Sequence, residues 1–156
     1  SVEVYGLQQR AGEMAQSLVG LKGPDVVSTN EKGETKSIYE KTADYIVVYL
    51  YNPTCEHCMK ESPLLVDWYN KNKANNQVDV YAIAIDTNDE EWKAYIKKNK
   101  MSFTNVHDPT NRSIYAKYYV DITPEVYVLN KERRIIGKNL KVFQIDTVIE
   151  RDRQGQ

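Results

Sequence analysis

The sequence predicts an α/β fold in which a central sheet is flanked by helices on both faces. Three observations carry this prediction. Runs of β-branched and aromatic residues are typical of buried strands, apolar residues recur at helical spacing between those runs, and the two kinds of segment alternate along the chain. Glycine and proline stand singly at turn positions, so we expect one domain over residues 23–156, preceded by a helical or irregular lead-in over residues 1–22.

The domain is predicted to open with a hairpin, because residues 25–28 and 35–38 flank a turn-rich segment at residues 30–33. Residues 45–51 form a near-continuous run of β-branched and aromatic side chains, which predicts a strand buried on both faces. Residues 78–85 repeat this pattern, and the segment between the two runs has apolar residues at helical intervals. This strand–helix–strand order predicts two parallel neighbouring strands joined by a right-handed crossover.

A second helix is predicted to begin near Asn88, because an amide side chain there precedes acidic residues that suit the positive end of a helix. Its apolar face contains Trp92 and Tyr95, which we expect to pack in the core, as we also expect of Trp68. The remaining predicted elements are a short strand over residues 103–107, a short helix over 111–118, a hairpin over 125–129 and 133–136, and a closing helix over 142–150.

The composition argues against several classes of function. The 156 residues include 21 basic and 22 acidic side chains, a formal net charge of -1, so no excess of positive charge attracts a nucleic acid. No apolar stretch approaches the roughly 20 residues that a membrane-spanning helix needs. The first residues lack the layout of a signal peptide. That does not argue for a cytoplasmic protein, because a leader could have been removed.

The two cysteines of the chain, Cys55 and Cys58, form a C-x-x-C motif. Two cysteines cannot build a disulfide scaffold, and a bridge between them closes too short a loop to add much stability. Cys55 falls where a predicted buried strand ends and a helix begins, and the free N–H groups and dipole of that helix favour a thiolate. Cys58 lies one turn further in and is more shielded. The motif therefore predicts a redox pair in which Cys55 attacks and Cys58 resolves.

The two residues between the cysteines are predicted to tune this pair in opposite directions. A protonated His57 would stabilise the Cys55 thiolate, whereas the negative charge of Glu56 would oppose it. From this partial cancellation we expect a reduction potential of very roughly -150 to -270 mV.

Other interpretations of the cysteines are a pair of small buried hydrophobic residues, an inert disulfide, or ligands of a metal. A four-ligand metal site would also need His107 and a carboxylate, because the sequence has no second C-x-x-C motif. Covalent haem attachment requires a histidine directly after the second cysteine, where this chain has Met59. We therefore expect neither a metal nor an organic cofactor.

Residues 49–63, with the sequence Tyr-Leu-Tyr-Asn-Pro-Thr-Cys-Glu-His-Cys-Met-Lys-Glu-Ser-Pro, resemble the active-site region of bacterial thioredoxin-like disulfide oxidoreductases of the TlpA/ResA group. Residues 122–131 resemble the segment in which that superfamily carries its cis-proline. From about Gly23 onwards the predicted element order agrees with the family, including a helix and a strand inserted between residues 86 and 111. The resemblance implies a thioredoxin-like fold and thiol–disulfide exchange.

The resemblance also implies roles for individual residues and partners. Pro124 would be the cis-proline, and the backbone of Thr123 would pair with a substrate chain beside the disulfide. Glu61, three residues after the second cysteine, would influence proton movement at the buried thiol. Proteins of this group work in the periplasm or anchored to the membrane facing it. They usually act as reductants of protein disulfides and receive electrons from a membrane-bound partner.

The chain departs from the family's pattern at three positions. Thr54 replaces a tryptophan often found before the first cysteine, and Tyr49 stands where thioredoxins proper have a buried aspartate, whose proton-shuttle role cannot be assigned to a tyrosine. Glu125 follows Pro124 where a threonine or serine is common, and we expect it to alter the rim of the substrate groove. The reductant, oxidase and isomerase directions stay open. The alternative from another class is a non-catalytic thioredoxin-like module that binds a peptide or a metal.

Overall fold

A computed structural model describes residues 18–75, 77–109, 118–120 and 122–155 of the chain. Within those residues the strands are β1 (Val27–Asn30), β2 (Thr35–Ser37), β3 (Tyr45–Tyr51), β4 (Val78–Ala84), β5 (Thr104–His107), β6 (Glu125–Leu129) and β7 (Ile135–Gly137). The helices are α1 (Glu56–Asn72), α2 (Asp89–Asn99) and α3 (Ile145–Gln154), with short 3-10 turns at Lys73–Asn75 and Val142–Gln144.

The seven strands form one mixed sheet in the order β2-β1-β5-β4-β3-β6-β7. β3 pairs in parallel with β4, from Tyr45 opposite Val78 to Tyr51 opposite Ala84, as the strand–helix–strand pattern predicted. β4 also pairs in parallel with β5, whereas β6 runs antiparallel to β3. Because β3 and β4 lie inside the sheet, nearly all their side chains are buried on both faces, which explains their continuous apolar runs.

The two faces of the sheet belong to separate apolar clusters, because successive side chains of a strand point to opposite faces. The first cluster contains the odd-numbered residues of β3 and side chains of all three helices, among them Leu65, Trp68, Trp92, Tyr95, Ile145 and Ile149. The second cluster contains the even-numbered residues of β3 together with Val26, Ile38 and Tyr118. Trp68, Trp92 and Tyr95 are therefore core residues, as predicted.

The structure confirms the hairpin of β1 and β2, the inserted α2 and β5, the hairpin of β6 and β7, and the closing helix. All but the last residue of the helix predicted over residues 111–118, and most of the lead-in, lie outside the described residues. A helix on the second face therefore stays a prediction, as does the boundary at residue 23. The described end of the lead-in runs beside β7, where Lys22 pairs with Arg134. No helix in the described ranges combines the length and apolar character needed to cross a membrane.

The ends of β3 and β6 bring two distant segments together. β3 ends at Tyr51, shortly before Cys55, and β6 starts at Glu125, directly after Pro124. Leu50 pairs with Glu125 across these antiparallel strands. Pro124 therefore lies at the same end of the sheet as the C-terminal end of β3. Segments separated by 68 residues in the sequence therefore meet at one point.

Candidate active site

Cys55 is the N-cap residue of α1. Its backbone is extended, with φ -75° and ψ 125°, and its Sγ accepts the backbone N–H of Cys58 at 3.2 Å. An oxygen of Ser, Thr, Asp or Asn usually accepts this bond. Here a sulfur does so, at the positive end of the helix dipole. The transition from strand to helix therefore directs backbone donors at the Cys55 sulfur.

The Cys55 thiol also contacts the segment before β6. It donates a hydrogen bond to the Thr123 carbonyl oxygen at 3.3 Å. The Thr123–Pro124 peptide bond is cis, which confirms the isomer that the resemblance implied. Thr123 and Pro124 are both half-buried, so this segment beside the sulfur is partly exposed to solvent.

The environment of Cys55 lowers the pKa of its thiol. Partial burial alone would raise that pKa, but hydrogen bonds to the sulfur from the side chains of Cys58 and Thr123, and from the backbone N–H groups of Cys58 and His57, outweigh burial. The net pKa of Cys55 lies below that of an ordinary thiol. A larger share of Cys55 is therefore the nucleophilic thiolate at neutral pH.

Cys58 has the opposite environment three residues further on. Its side chain is completely buried, whereas Cys55 is only half-buried, and both thiols are free. Burial raises the pKa of Cys58 to about 12, and its hydrogen bond and charge interaction with Cys55 contribute further in the same direction. Cys58 is therefore a protonated thiol at neutral pH.

Glu61 and Glu125 are buried carboxylic side chains near the cysteines, and both bind the segment that precedes α3. Glu61 Oε1 accepts the backbone N–H of Val142 at 3.1 Å, and Glu125 Oε1 accepts that of Asn139 at 2.5 Å. Glu125 is only 5% exposed, so our expectation that it lies at the rim of the groove is wrong. The first residue of β6 turns its side chain inward, towards the loop after β7.

The structure places the two residues between the cysteines at the surface. Glu56 and His57 are both exposed in the first turn of α1, so their proposed tuning of the cysteine pair stays a prediction. Among the described residues, no cluster of three or more His, Cys, Asp or Glu side chains could hold a metal ion. His107, which such a site would need as a ligand, is buried and contacts Asp89 at 2.9 Å through Nδ1.

Sequence reasoning missed a hydroxyl network beneath the cysteines. The Tyr95 hydroxyl, on α2, donates to the Cys58 carbonyl oxygen at 3.0 Å and is hydrogen-bonded to Ser62 Oγ at 2.8 Å. The Tyr49 hydroxyl, on β3, lies 2.9 Å from the same Ser62 Oγ. A tyrosine within an apolar run carries no signal that its hydroxyl has a buried partner. The only hint in the sequence is a serine on the apolar face of α1.

Comparison with known proteins agrees with this geometry. A family model described as Thioredoxin-like matches residues 43–135. The structure of a domain of a possible thiol-disulfide isomerase from Cytophaga hutchinsonii is 32% identical, with 88% of this chain and 95% of that chain covered and a TM-score of 0.80. The thioredoxin domain of a thiol-disulfide oxidoreductase from Bacteroides vulgatus is 23% identical, with coverage of 86% and 96% and a TM-score of 0.77. Thiol-disulfide oxidoreductase ResA of Bacillus cereus is 22% identical over 120 residues, which are 77% of this chain and 68% of ResA.

The chain therefore belongs to the thioredoxin-like family, and the predicted thioredoxin-like fold is confirmed. Within that family it is an enzyme of the thiol-disulfide oxidoreductase class, in agreement with the resemblance of its active-site region.

Proposed function

We propose that this enzyme exchanges its dithiol for the disulfide of a protein substrate through Cys55 and Cys58. The observation that carries the proposal is the contrast between the two thiols. Cys55 is half-buried at the N-terminus of α1 and has a lowered pKa. Cys58 is buried and protonated, and its backbone N–H donates to the Cys55 sulfur. This is the division that an attacking and a resolving thiol require.

In the reducing direction, the Cys55 thiolate attacks one sulfur of the substrate disulfide. A mixed disulfide forms and the other substrate sulfur leaves as a thiolate, which takes up a proton. Cys58 then gives up its proton and attacks the Cys55 sulfur, so that the second substrate sulfur leaves. The substrate has gained two electrons and two protons, and the enzyme holds a disulfide between Cys55 and Cys58.

An extended substrate segment would bind beside Pro124. The half-buried backbone of Thr123 and Pro124 precedes the first residue of β6 and lies next to the Cys55 sulfur. A segment added there would gain main-chain hydrogen bonds and bring its own sulfur to Cys55.

The enzyme acts, in this proposal, as a reductant in the bacterial cell envelope, in the periplasm or anchored to the membrane facing it. Support for this comes from the resemblance of residues 49–63 and 122–131 to the TlpA/ResA group and from the match to ResA. A reductant in that location needs a membrane-bound electron donor to return the Cys55–Cys58 disulfide to the dithiol.

Reduction of insulin disulfides by purified protein, with dithiothreitol as the electron source, tests the exchange activity. We expect the wild type to accelerate reduction and Cys55→Ser to abolish the acceleration. Cys58→Ser is the matched variant: it keeps the attacking thiol, so it should accumulate a mixed disulfide without turnover. Trapping with Cys58→Ser in extract of the source cell would then identify the substrate and the direction of exchange.

Two outcomes would contradict the proposal. Cys55→Ser with more than about a tenth of wild-type activity would show that the motif does not carry the reaction. A wild-type protein with no turnover that binds a metal or an intact peptide tightly would instead support the non-catalytic module.

A further inference from the structure

We propose that the hydroxyls of Tyr95, Ser62 and Tyr49 form a positioning network for Cys58, and that the network accelerates the resolving step of the exchange while leaving the attack by Cys55 unchanged. This inference rests on the proposed function, because it assigns residues to the second step of that reaction. The three side chains contact no substrate in this scheme and act through Cys58.

The need for such support comes from the sequence of α1 itself. Pro63 lies inside the helix, directly after Ser62. Proline has no N–H, so the carbonyl oxygen of Met59 lacks its usual intrahelical donor, and the proline ring crowds that turn. The weakened turn begins next to Cys58. Contacts from outside the helix must therefore help to fix the position of the buried thiol.

The hydroxyl network supplies those contacts from two different elements. The Tyr95 hydroxyl reaches across from α2 and binds both the Cys58 carbonyl oxygen and Ser62 Oγ. The Tyr49 hydroxyl reaches up from β3 and binds the same Ser62 Oγ. The turn from Cys58 to Ser62 is thus held against the sheet on one side and against α2 on the other.

The tyrosine rings that carry these hydroxyls are themselves held in place. The ring of Tyr51 stacks on that of Tyr49, with centroids 5.4 Å apart and planes inclined by 17°. It also stacks on the ring of Tyr95, at 5.4 Å and 27°. Burial raises the pKa of both Tyr49 and Tyr95, so both hydroxyls remain protonated donors throughout the neutral range.

The network affects the two steps of the exchange unequally because of what each step needs. Attack by Cys55 depends on a sulfur at the surface end of α1, whose donors include the backbone N–H groups of the first turn as well as the side chains of Cys58 and Thr123. Resolution needs the Cys58 sulfur aligned with the bond between Cys55 and the substrate sulfur, and small displacements from such a geometry cost large factors in rate. Cys58 also starts as a thiol with a pKa of about 12, so little thiolate is present to compensate for poor alignment.

The experiment mixes reduced protein with a stoichiometric amount of the aryl disulfide dithionitrobenzoate and follows the release of thionitrobenzoate. The first equivalent reports attack by Cys55, and the second reports resolution by Cys58. We expect Tyr95→Phe, which keeps the stacked ring, to slow the second phase about tenfold and to leave the first phase within about twofold of wild type. Tyr49→Phe removes one of the two bonds to Ser62 and should slow the second phase about threefold.

Tyr45→Phe is the matched control. It removes a tyrosine hydroxyl from the other end of the same strand β3, where that hydroxyl donates to Asp152 at 2.7 Å. Both phases should be unchanged in this variant. A thermal unfolding curve for each variant shows whether any loss of rate follows from loss of fold, and Tyr49→Phe provides an independent test if Tyr95→Phe does not fold.

The inference is overturned if the second phase of both Tyr→Phe variants stays within about twofold of wild type, or if both phases slow by the same factor. A wild-type protein that releases only one equivalent would overturn the proposed function, because no disulfide between Cys55 and Cys58 would have formed. The two failures are therefore distinguishable.

Discussion

The N-terminal ends of α1 and α2 both have an N-cap residue with an extended backbone, but the cap atoms differ. In α2 the Oδ1 atom of Asn88 accepts the backbone N–H of Glu91 at 2.9 Å. In α1 the Sγ atom of Cys55 accepts the N–H of Cys58, at the same separation of three residues and a distance of 3.2 Å. The amide of Asn88 is neutral at every accessible pH, whereas the thiol of Cys55 ionises.

The difference shows that the free N–H groups of a helix N-terminus can either stabilise the helix or stabilise a reactive thiolate. A helix start has free N–H donors that need an acceptor. In α2 a neutral oxygen accepts one of them and stabilises the helix. In α1 the same donors face a sulfur, and they bind it more strongly once it becomes an anion. The N-terminus of α1 thereby stabilises a nucleophile with groups that every helix has.

The largest expected effect is the difference in reactivity between Cys55, at the start of α1, and Cys58, one turn further into the helix. The pKa of the Cys55 thiol is lowered, while that of Cys58 is raised to about 12, so the thiolate fraction of Cys55 at neutral pH is far larger than that of Cys58. Iodoacetamide at neutral pH should therefore alkylate Cys55 and leave Cys58 unmodified in the folded, reduced protein. Mass spectrometry of the two modified peptides measures this ratio.

A folded protein in which both cysteines are alkylated at similar rates would break the comparison. It would mean that the first turn of α1 gives Cys55 no advantage over a shielded thiol. The unfolded protein in denaturant is the control, because there the two thiols should react alike.

A second effect is the pH dependence of stability, which has opposite sign at the two cysteines. The folded-state pKa of Cys58 lies above that of a free thiol, so its contribution to stability is complete below about pH 8.5 and is lost as the pH rises towards 12. Between pH 7 and pH 10 this loss amounts to about 2 kcal/mol. For Cys55, whose folded-state pKa is lowered, stability is instead lost as the pH falls through that pKa.

Chemical denaturation of the reduced protein at pH 7 and pH 10, compared with Cys58→Ala, measures this effect. Buried tyrosines such as Tyr49 also have a raised pKa and destabilise the protein in alkali, so only the difference between the two proteins isolates Cys58. Equal losses in wild type and Cys58→Ala would show that Cys58 is not shielded from water.

The sequence was sufficient to predict the fold and the placement of the two cysteines at the start of a helix, because both follow from local pattern. The run over residues 45–51 has no polar position, and only a strand inside the sheet has that property. Cys55 and Cys58 stand at the end of that run, where strand gives way to helix. A local pattern of this kind can be recognised in a single sequence without any knowledge of long-range contacts.

The environment of the pair could not be predicted, because it depends on contacts between distant segments. Tyr95 comes from a different helix, and only the packing of α2 against α1 brings its hydroxyl to the Cys58 carbonyl. Glu125 follows a surface turn in the sequence, yet the pairing of β6 with β3 and the path of the loop after β7 bury it. Neither contact leaves a periodic trace in the sequence.

The acidic residues of the two helices suggest a third prediction. α2 has acidic side chains in its first turn, at Asp89, Glu90 and Glu91, where they suit the dipole. α1 has Glu56 in its first turn and, further along, the buried Glu61, which accepts the N–H of Val142. Glu61→Ala would leave that buried donor without an acceptor, at a cost of about 1.5 kcal/mol in the free energy of unfolding.

Glu61→Gln is the matched variant, because its amide oxygen can still accept the Val142 N–H. It should be nearly as stable as wild type by chemical denaturation. If the carboxylate also moves protons at Cys58, as the resemblance implied, Glu61→Gln should alter the pH profile of insulin reduction while leaving stability unchanged. An unaltered profile would restrict Glu61 to its structural contact.

The smallest expected effect is the change in the free energy of unfolding when the N-cap side chain of either helix is removed. Asn88→Ala should lower the free energy of unfolding by about 1 kcal/mol, a typical value for an N-cap, and by the same amount at pH 6 and pH 9. Cys55→Ala should cost less at pH 6, where the neutral thiol is a weak acceptor, and more at pH 9, where the thiolate is present. Chemical denaturation of both variants at the two pH values measures the comparison. A cost for Cys55→Ala that does not grow with pH would mean that the N–H groups of α1 do not stabilise the anion, and the distinction between the two helix starts would be lost.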